Sequence, residues 1–329
     1  MARLETKVWL ALGTIYIVWG STFMAVTVAV RDLPPFLSMG IRHLAAGALL
    51  LAWAWPRGDR AGDRIGRRQL GAAAIFGAAL FLAGHGGLAW AQQTVPSGVA
   101  ALLMGSIPLW VAVLDRVVFG KRLHRLAGVG LVTGFLGLAL LVDPFGKGRI
   151  DRVGAAVAVF AAFAWAAGSL YSRGAPLPRR PIVAAGLAAL CGGVLLTAVA
   201  AARGEFSEAR FTPEAVTAVA YLVVFGTLLG FSAYVWLLRA APTSLVATYA
   251  YVNPIVAVFL GWTLLGEEIS LSMLAAGAAI VVSVALIVGT SNRVTEPGRG
   301  IRRSATEPVA EINRKSEPDP VETPGHGSG

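Results

Sequence analysis

Charge is what this sequence has least of. Asp, Glu, Lys and Arg make up only 14% of its 329 residues, against roughly 25% in an ordinary soluble domain. No Asp or Glu falls in the middle of an apolar run. Asp115 comes nearest, at the end of one and beside Arg116, where a local ion pair at the headgroup boundary is its expected role. Cysteine is almost missing. Cys191 is the only one and lies inside an apolar block, so no internal disulfide and no multi-cysteine metal site can form. The chain also has no H-E-x-x-H, no G-x-x-x-x-G-K-[ST] and no G-x-S-x-G. Those patterns carry zinc-hydrolase, phosphate-loop and serine-hydrolase chemistry. No enzymatic activity, metal or cofactor is expected, and ATP-driven work would need another subunit.

What is present is apolar length. Hydrophobic residues reach 56% and the mean hydropathy is +0.68. They fall in blocks of about 20 residues, the length that crosses a hydrocarbon core. The pattern predicts an all-α polytopic membrane protein with ten transmembrane helices, near 8–30, 34–55, 70–91, 97–118, 124–142, 153–172, 181–201, 215–237, 244–265 and 270–290. Arg3 and Lys7 ahead of an apolar run resemble a signal peptide. The run continues to Val30 with no small-residue cleavage pattern, so it reads as a first span that stays. Gly and Ala are abundant inside the spans, where small residues let helices approach closely. Prolines mark several joints, at Pro34-Pro35, Pro96, Pro144 and Pro242.

After Thr290 the composition changes. Ser291–Gly329 is rich in Pro, Glu, Arg, Ser and Gly without apolar periodicity, and reads as a disordered tail. The basic residues orient the rest. Of 28 Lys and Arg, 21 fall in segments that share a side with the N-terminus and 6 on the other side, with Arg42 inside a span. That bias predicts both termini cytoplasmic. The net charge of +10 then follows from topology and an anionic bilayer and needs no nucleic acid.

A shift of 146 residues superposes the two halves. It pairs Trp19 with Trp165, Pro35 with Pro181, Trp90 with Trp236, Pro96 with Pro242, Pro108 with Pro254 and Gly120 with Gly266. Each half holds five spans. Five is odd, so the second copy must enter the membrane from the opposite side. Two inverted five-helix repeats, at 8–142 and 153–290, are expected around an external connector at 143–152, with a cytoplasmic N-terminus at 1–7. That is the architecture of many secondary transporters, whose solute site lies near midplane between the halves.

Three segments carry a family likeness. They are Trp19-Gly20-Ser21-Thr22-Phe23, then Val95-Pro96-Ser97-Gly98 leading to Pro108, and Ala250-Tyr251-Val252-Asn253-Pro254. Together they resemble the EamA-type permeases of the drug/metabolite transporter superfamily, over residues 8–290. The resemblance implies two EamA repeats in a bacterial inner-membrane carrier with both termini cytoplasmic. It implies a cavity lined chiefly by spans 1, 3, 4, 6, 8 and 9. Amino acids, related metabolites or toxic compounds are its implied cargo, commonly exported. One departure matters. Relatives often have a carboxylate near the end of the third span, where this chain has Gln92-Gln93, so a carboxylate-based coupling scheme does not carry over.

The candidate site residues follow from polarity at membrane depth, where ionisable and hydrogen-bonding groups are costly. Arg42 lies about 12 Å into the second span, at 1.5 Å per residue. It reads as an anchor for an anionic group or as a snorkelling, packing arginine, with equal weight. His43 is next to it and about 100° around the helix, which assigns it to another face and a structural role. His85 sits among Gly84, Gly86 and Gly87. It reads as a proton or substrate group, or as an ordinary interhelical hydrogen bond. Trp19, Trp165, Tyr234 and Tyr249 are the candidate aromatic wall, and Ser21, Thr22, Thr248 and Asn253 the neutral hydrogen-bonding set. Trp90 and Trp236, near span ends, fit the interface belt better. Pro108 and Pro254 are candidate hinges, each freeing the carbonyl four residues before it. The alternative for Pro254 is a kink packed against its neighbours.

The expected function is a secondary transporter, moving a small molecule by alternating access on a proton gradient or the solute's own gradient. The alternative is a non-transporting scaffold or signalling protein acting through its basic tail. A homodimer is compatible with the sequence.

Overall fold

The computed structural model describes residues 2–57, 65–120, 124–142, 150–241, 243–246 and 248–294. The predicted tail beyond residue 294, Pro144, Pro242 and most of the connector lie outside the described residues. Met1–Ser291 form one compact unit. Among the described residues every regular element is helical. The main helices are α1 (Ala2–Ala29), α2 (Pro35–Ala54), α3 (Arg67–Ala91), α4 (Ser97–Phe119), α5 (Arg125–Val142), α6 (Arg152–Ser172), α7 (Pro181–Ala202), α8 (213–240), α9 (Tyr249–Leu265) and α10 (Leu271–Val294). The first eight contain stretches long and apolar enough to cross a bilayer, while the apolar stretches Tyr249–Leu265 and Leu271–Ile287 are shorter. The protein is thus a polytopic membrane protein whose described regular elements are all helices.

Local chemistry sets the ends. Asp151 accepts the Gly154 N–H at 2.7 Å and Thr212 accepts that of Ala215 at 3.3 Å, capping α6 and α8. The Gly154 N–H, joined by the Thr94 hydroxyl, holds the exposed Asp151 carboxyl below its usual range. Pro181 and Pro213 open α7 and α8, where a missing N–H costs nothing. Gly120 and Gly266 close α4 and α9 with φ of 65° and 69°, the left-handed turn that favours glycine. They are one repeat apart, and their N–H groups bond the carbonyls of Asp115 and Gly261, also one repeat apart.

Outward surfaces match a lipid solvent. On α5, Val129, Val132, Leu136 and Leu140 are exposed, while Gly130, Gly134 and Gly137 face inward, against α10 or neighbouring side chains. The stripe has helical spacing, yet its apolar side points out, the reverse of a soluble helix.

The packing repeats itself under exchange of the halves. A methyl group on Gly47 of α2 would lie 2.8 Å from the Gly186 carbonyl oxygen and 2.8 Å from the Leu190 nitrogen of α7. Its twin, a methyl on Gly193, would lie 2.8 Å from the Leu44 nitrogen. Gly40 meets Thr197 in the same way, and Gly186 meets Leu51. As numbers rise along α2 they fall along α7, so the two helices run antiparallel. Helices α5 and α10 do the same. A methyl on Gly130 would sit 3.0 Å from the Ser283 carbonyl, and one on Gly137 would sit 3.0 Å from that of Ala276. Both pairs therefore straddle one pseudo-twofold relation between the repeats.

Loop contacts sort into two ends. At one, Thr94 bonds Asp151, Thr212 bonds Asp32, and Glu205 receives the Leu37 N–H at 2.8 Å. Glu267 receives the Ser97 and Gly98 N–H groups at 2.6 and 3.0 Å, closing the start of α4. At the other, Arg173 pairs with Asp115 at 3.2 Å and Arg180 reaches the Ala54 carbonyl. Asp115 is thus partnered across the loops, beyond its neighbour Arg116. Glu267→Ala should cost about 1–2 kcal/mol, the worth of a helix cap. Thermal unfolding in detergent checks it. An unchanged midpoint would mean that water serves those N–H groups equally well.

Two helices are interrupted. In α4, Ser97–Met104 ends in a turn at Gly105-Ser106 before Ile107–Phe119 begins, with Pro108 as its second residue. The ninth span is expected to begin at 244 and to be broken at Pro254. Among the described residues Thr243–Val246 are helical, Thr248 forms a turn ahead of α9, and Pro254 lies inside Tyr249–Leu265. The reason is local. The Thr248 hydroxyl turns back to the Leu245 carbonyl and also bonds the Tyr16 hydroxyl, a side-chain alternative to helix continuation.

Candidate functional site

Two aromatic arms, one per repeat, face each other's wide helical turns. In α3, residues Ala78–Gly86 adopt π-helical turns, and in α8 residues Leu222–Leu229 do so. The segments occupy overlapping positions in the repeat. Such turns cost helical hydrogen-bond quality and concentrate at functional sites.

The first arm is built on Trp19 of α1. Its Nε1 donates to the Gly226 carbonyl at 3.1 Å. Its ring stands 5.4 Å from that of Tyr234 and 5.1 Å from that of Tyr249, which are 5.9 Å from each other. A methyl on Gly230 would overlap Trp19 Nε1 and lie 2.9 Å from its Cδ1. Thr22, one turn along α1, donates to the Trp19 carbonyl at 2.6 Å and presses its methyl on Gly226. Ser21, on another face, bonds the Tyr221 hydroxyl at 2.6 Å. Asn253 of α9 is buried, its Oδ1 has no hydrogen-bond partner, and its backbone carbonyl lies against Gly20.

The second arm is built on Trp165 of α6. Gly84, the repeat twin of Gly230, is the surface it rests on: a methyl there would lie 3.1 Å from Trp165 Cε3. His85 packs on Trp165 with centroids 4.8 Å apart. His43 Nε2 and His85 Nδ1 share a hydrogen bond of 2.8 Å, and the Phe81 ring packs on His43 at 4.3 Å, tilted by 34°.

Helix α2 supplies one side chain to each arm. Arg42 turns toward α8, its Nη2 3.4 Å from where a methyl on Gly226 would stand, and His43 turns toward α3. Their angular separation on α2, about 100° by helix geometry, puts neighbours in sequence into different arms. The predicted set therefore divides. Trp19, Thr22, Arg42, Tyr234 and Tyr249 gather in one place, with Ser21 and Asn253 at its flanks. Thr248 lies beside it through Tyr16. Trp165 and His85 gather in the other arm. Of the proposed belt residues, Trp236 is exposed.

Sequence reasoning missed three residues. His43 belongs with His85, and Tyr16 and Tyr221 complete the bonds of Thr248 and Ser21. It also missed a polar cavity of about 260 Å³ at the Leu33 end, lined by Arg31, Asp32, Gln93, Arg203, Glu205 and Glu208. There burial pushes the Glu205 carboxyl above its usual range, opposed by the Leu37 N–H and by Arg203 at 3.6 Å. Gln92, standing where a carboxylate was the family expectation, ties α3 to α1 through the Phe23 carbonyl and Thr27.

Comparison with known proteins agrees with this architecture. The EamA-like transporter family matches twice, at residues 7–143 and 152–289. The uncharacterized inner membrane transporter YedA of Escherichia coli K12 is 35% identical over 281 residues, covering 85% of this chain and 90% of that protein. The uncharacterized transporter YvbV of Bacillus subtilis is 25% identical over 303 residues, covering 92% and 98%. A solved structure titled only as the crystal structure of a protein superposes with a TM-score of 0.59 at 20% identity, over 88% of this chain and 99% of its own. That last likeness concerns the fold alone.

Proposed function

This chain belongs to the EamA-like transporter family, and from that premise we propose that it is an inner-membrane secondary carrier that exports a small molecule by alternating access. One observation carries the reading. Each repeat's first-helix tryptophan rests on the same glycine of the other repeat's third helix, Trp19 on Gly230 and Trp165 on Gly84. Two contacts of the same kind on opposite sides of a pseudo-twofold can exchange tight and loose states. One such exchange converts an inward-open form into an outward-open one. The antiparallel α2–α7 and α5–α10 pairs supply the fixed axis about which the arms would rock.

On this reading α9 and α10 complete ten crossings. Helix α9 is about 26 Å long at 1.5 Å per residue, enough for the core once its short preceding helix is added. The termini are cytoplasmic, and the Leu33 end faces outward. The inner-membrane location is the one named for the Escherichia coli relative, and the outward direction is what the family resemblance implies. Two experiments test the proposal. In a Cys191→Ser background, Lys147→Cys should react with an impermeant maleimide on intact cells, and Arg64→Cys only after permeabilisation. Labelling on one side only would end the inverted arrangement. Trp19→Ala and Asn253→Ala should each cut solute flux by about tenfold, equal to about 1.4 kcal/mol, at unchanged membrane abundance. Normal flux in both would move the site elsewhere.

A further inference from the structure

We propose that the transported solute is a small organic carboxylate with a ring-bearing or apolar remainder, and that Arg42 receives its carboxylate beside the Trp19 arm. This rests on the carrier reading above and adds the chemistry of the cargo.

Arg42 is a cation without a counter-ion among the described residues. Arg42 is 5% exposed. Among the described residues its Nη1 reaches only the Met39 sulfur at 3.9 Å, and its Nε has no partner. Among the described residues no Asp or Glu pairs with it. A guanidinium keeps its charge and offers five N–H donors in a fixed fork. A buried charge with no partner is strongly unfavourable, while one that meets an oxyanion is not. Snorkelling does not account for it, because a snorkelling arginine buries its stem and leaves its head in water. Here the head is what is buried.

The second observation is what stands beside it. Gly226 lies in the wide turn of α8 and has no side chain. Arg42 Nη2 approaches it from α2, Thr22 presses on it from α1, and Trp19 Nε1 donates to its carbonyl. The Tyr234 and Tyr249 rings continue from Trp19. A solute entering between α1 and α8 at Gly226 would meet a bidentate cation at one end and three aromatic rings at the other. That pairing suits an anion with an apolar body. It suits a cation badly, because Arg42 would repel it. Arg42 also lacks a twin: position 188 is alanine. The anion subsite thus belongs to one arm, and the histidine pair to the other.

The test uses purified full-length protein in nanodiscs and calorimetric titration with four probes: phenylacetate, phenylacetamide, phenethylamine and inorganic phosphate. Phenylacetate should bind tenfold or more tighter than phenylacetamide, the expected gain of a charge-assisted bidentate pair over a neutral one. Arg42→Gln should bring the two within about twofold, and Arg42→Lys should fall between. The wild-type comparison stands alone if Arg42→Gln fails to fold. Equal binding of acid and amide, tighter binding of the amine, or no binding of the acid up to about 10 mM would overturn the proposal. Phosphate binding tighter than phenylacetate would overturn the part assigned to the rings. Failure of the carrier reading looks different: phenylacetate would bind yet show no counterflow in proteoliposomes. Conversely, if metabolites retained by a deletion strain prove neutral or cationic, transport stands and the carboxylate assignment falls.

Discussion

Gly47→Leu is expected to remove folded protein from the membrane. A methyl at this position already falls 2.8 Å from two backbone atoms of α7, the Gly186 carbonyl oxygen and the Leu190 nitrogen. Backbone cannot rotate away as a side chain can, so α2 and α7 must separate. Overpacking in a core that can adjust costs about 1–3 kcal/mol. Separating two helices at the pseudo-twofold should exceed that, against a total stability of about 5–15 kcal/mol. Gly193→Leu should do the same from the other side, since it meets the Leu44 nitrogen at 2.8 Å. Gly13→Ala is the control. Nothing lies within 4 Å of a methyl there, and alanine favours a helix over glycine by about 1 kcal/mol. Size-exclusion profiles after heating would separate the cases. A monodisperse Gly47→Leu protein with the wild-type midpoint would refute the close crossing.

The same pair shows how the fold could be read from sequence and where reading stopped. Ten apolar runs are visible because a span must be long and continuous, and the described helices follow them within a few residues except at the starts of the first, which begins at Ala2, and of the ninth, which begins at Tyr249. The repeat is visible because Trp and Pro are rare enough for one shift to stand out. Gly40 with Gly186, and Gly47 with Gly193, obey that shift too, but glycine is too common here for the coincidence to be noticed among 39 of them. Periodicity also separates Arg42 from His43, and their division between two arms is that angle made physical.

Partners across helices stayed hidden. His43 with His85, Ser21 with Tyr221, and Tyr16 with Thr248 are joined over 42, 200 and 232 residues, and nothing in a single helix's pattern names the residue opposite. The face that sets His43 apart from Arg42 leads to His85, a partner that the pattern of α2 alone does not name. The wide turns of α3 and α8 have no composition of their own, since the apolar and small residues that form them also fill the ordinary spans of this chain. The charged cavity at the Leu33 end lies in loops, where no period exists to be read.

The twin tryptophan contacts should respond unequally to the same mutation, and that inequality tests the two-arm mechanism most directly. A methyl at Gly230 would overlap Trp19 Nε1, so Gly230→Ala must displace the indole and break its 3.1 Å bond to the Gly226 carbonyl. The buried carbonyl then loses its donor, at about 1–3 kcal/mol, and the Trp19, Tyr234 and Tyr249 rings lose their common register. Flux should fall by tenfold or more while the protein remains folded, because the change is confined to one arm. A methyl at Gly84 would instead stand 3.1 Å from Trp165 Cε3, an encroachment of a few tenths of an ångström that an edge of ring carbon can yield to. Among the described residues no hydrogen bond of the Trp165 indole nitrogen is at stake, so Gly84→Ala should keep flux within about twofold. Trp19→Phe placed in the Gly230→Ala protein should recover part of the loss, since the smaller ring vacates the overlap and has no N–H left to satisfy. Equal losses at both glycines, or no recovery with phenylalanine, would mean that the arms act through helix stability alone and that the indole contact plays no part in transport.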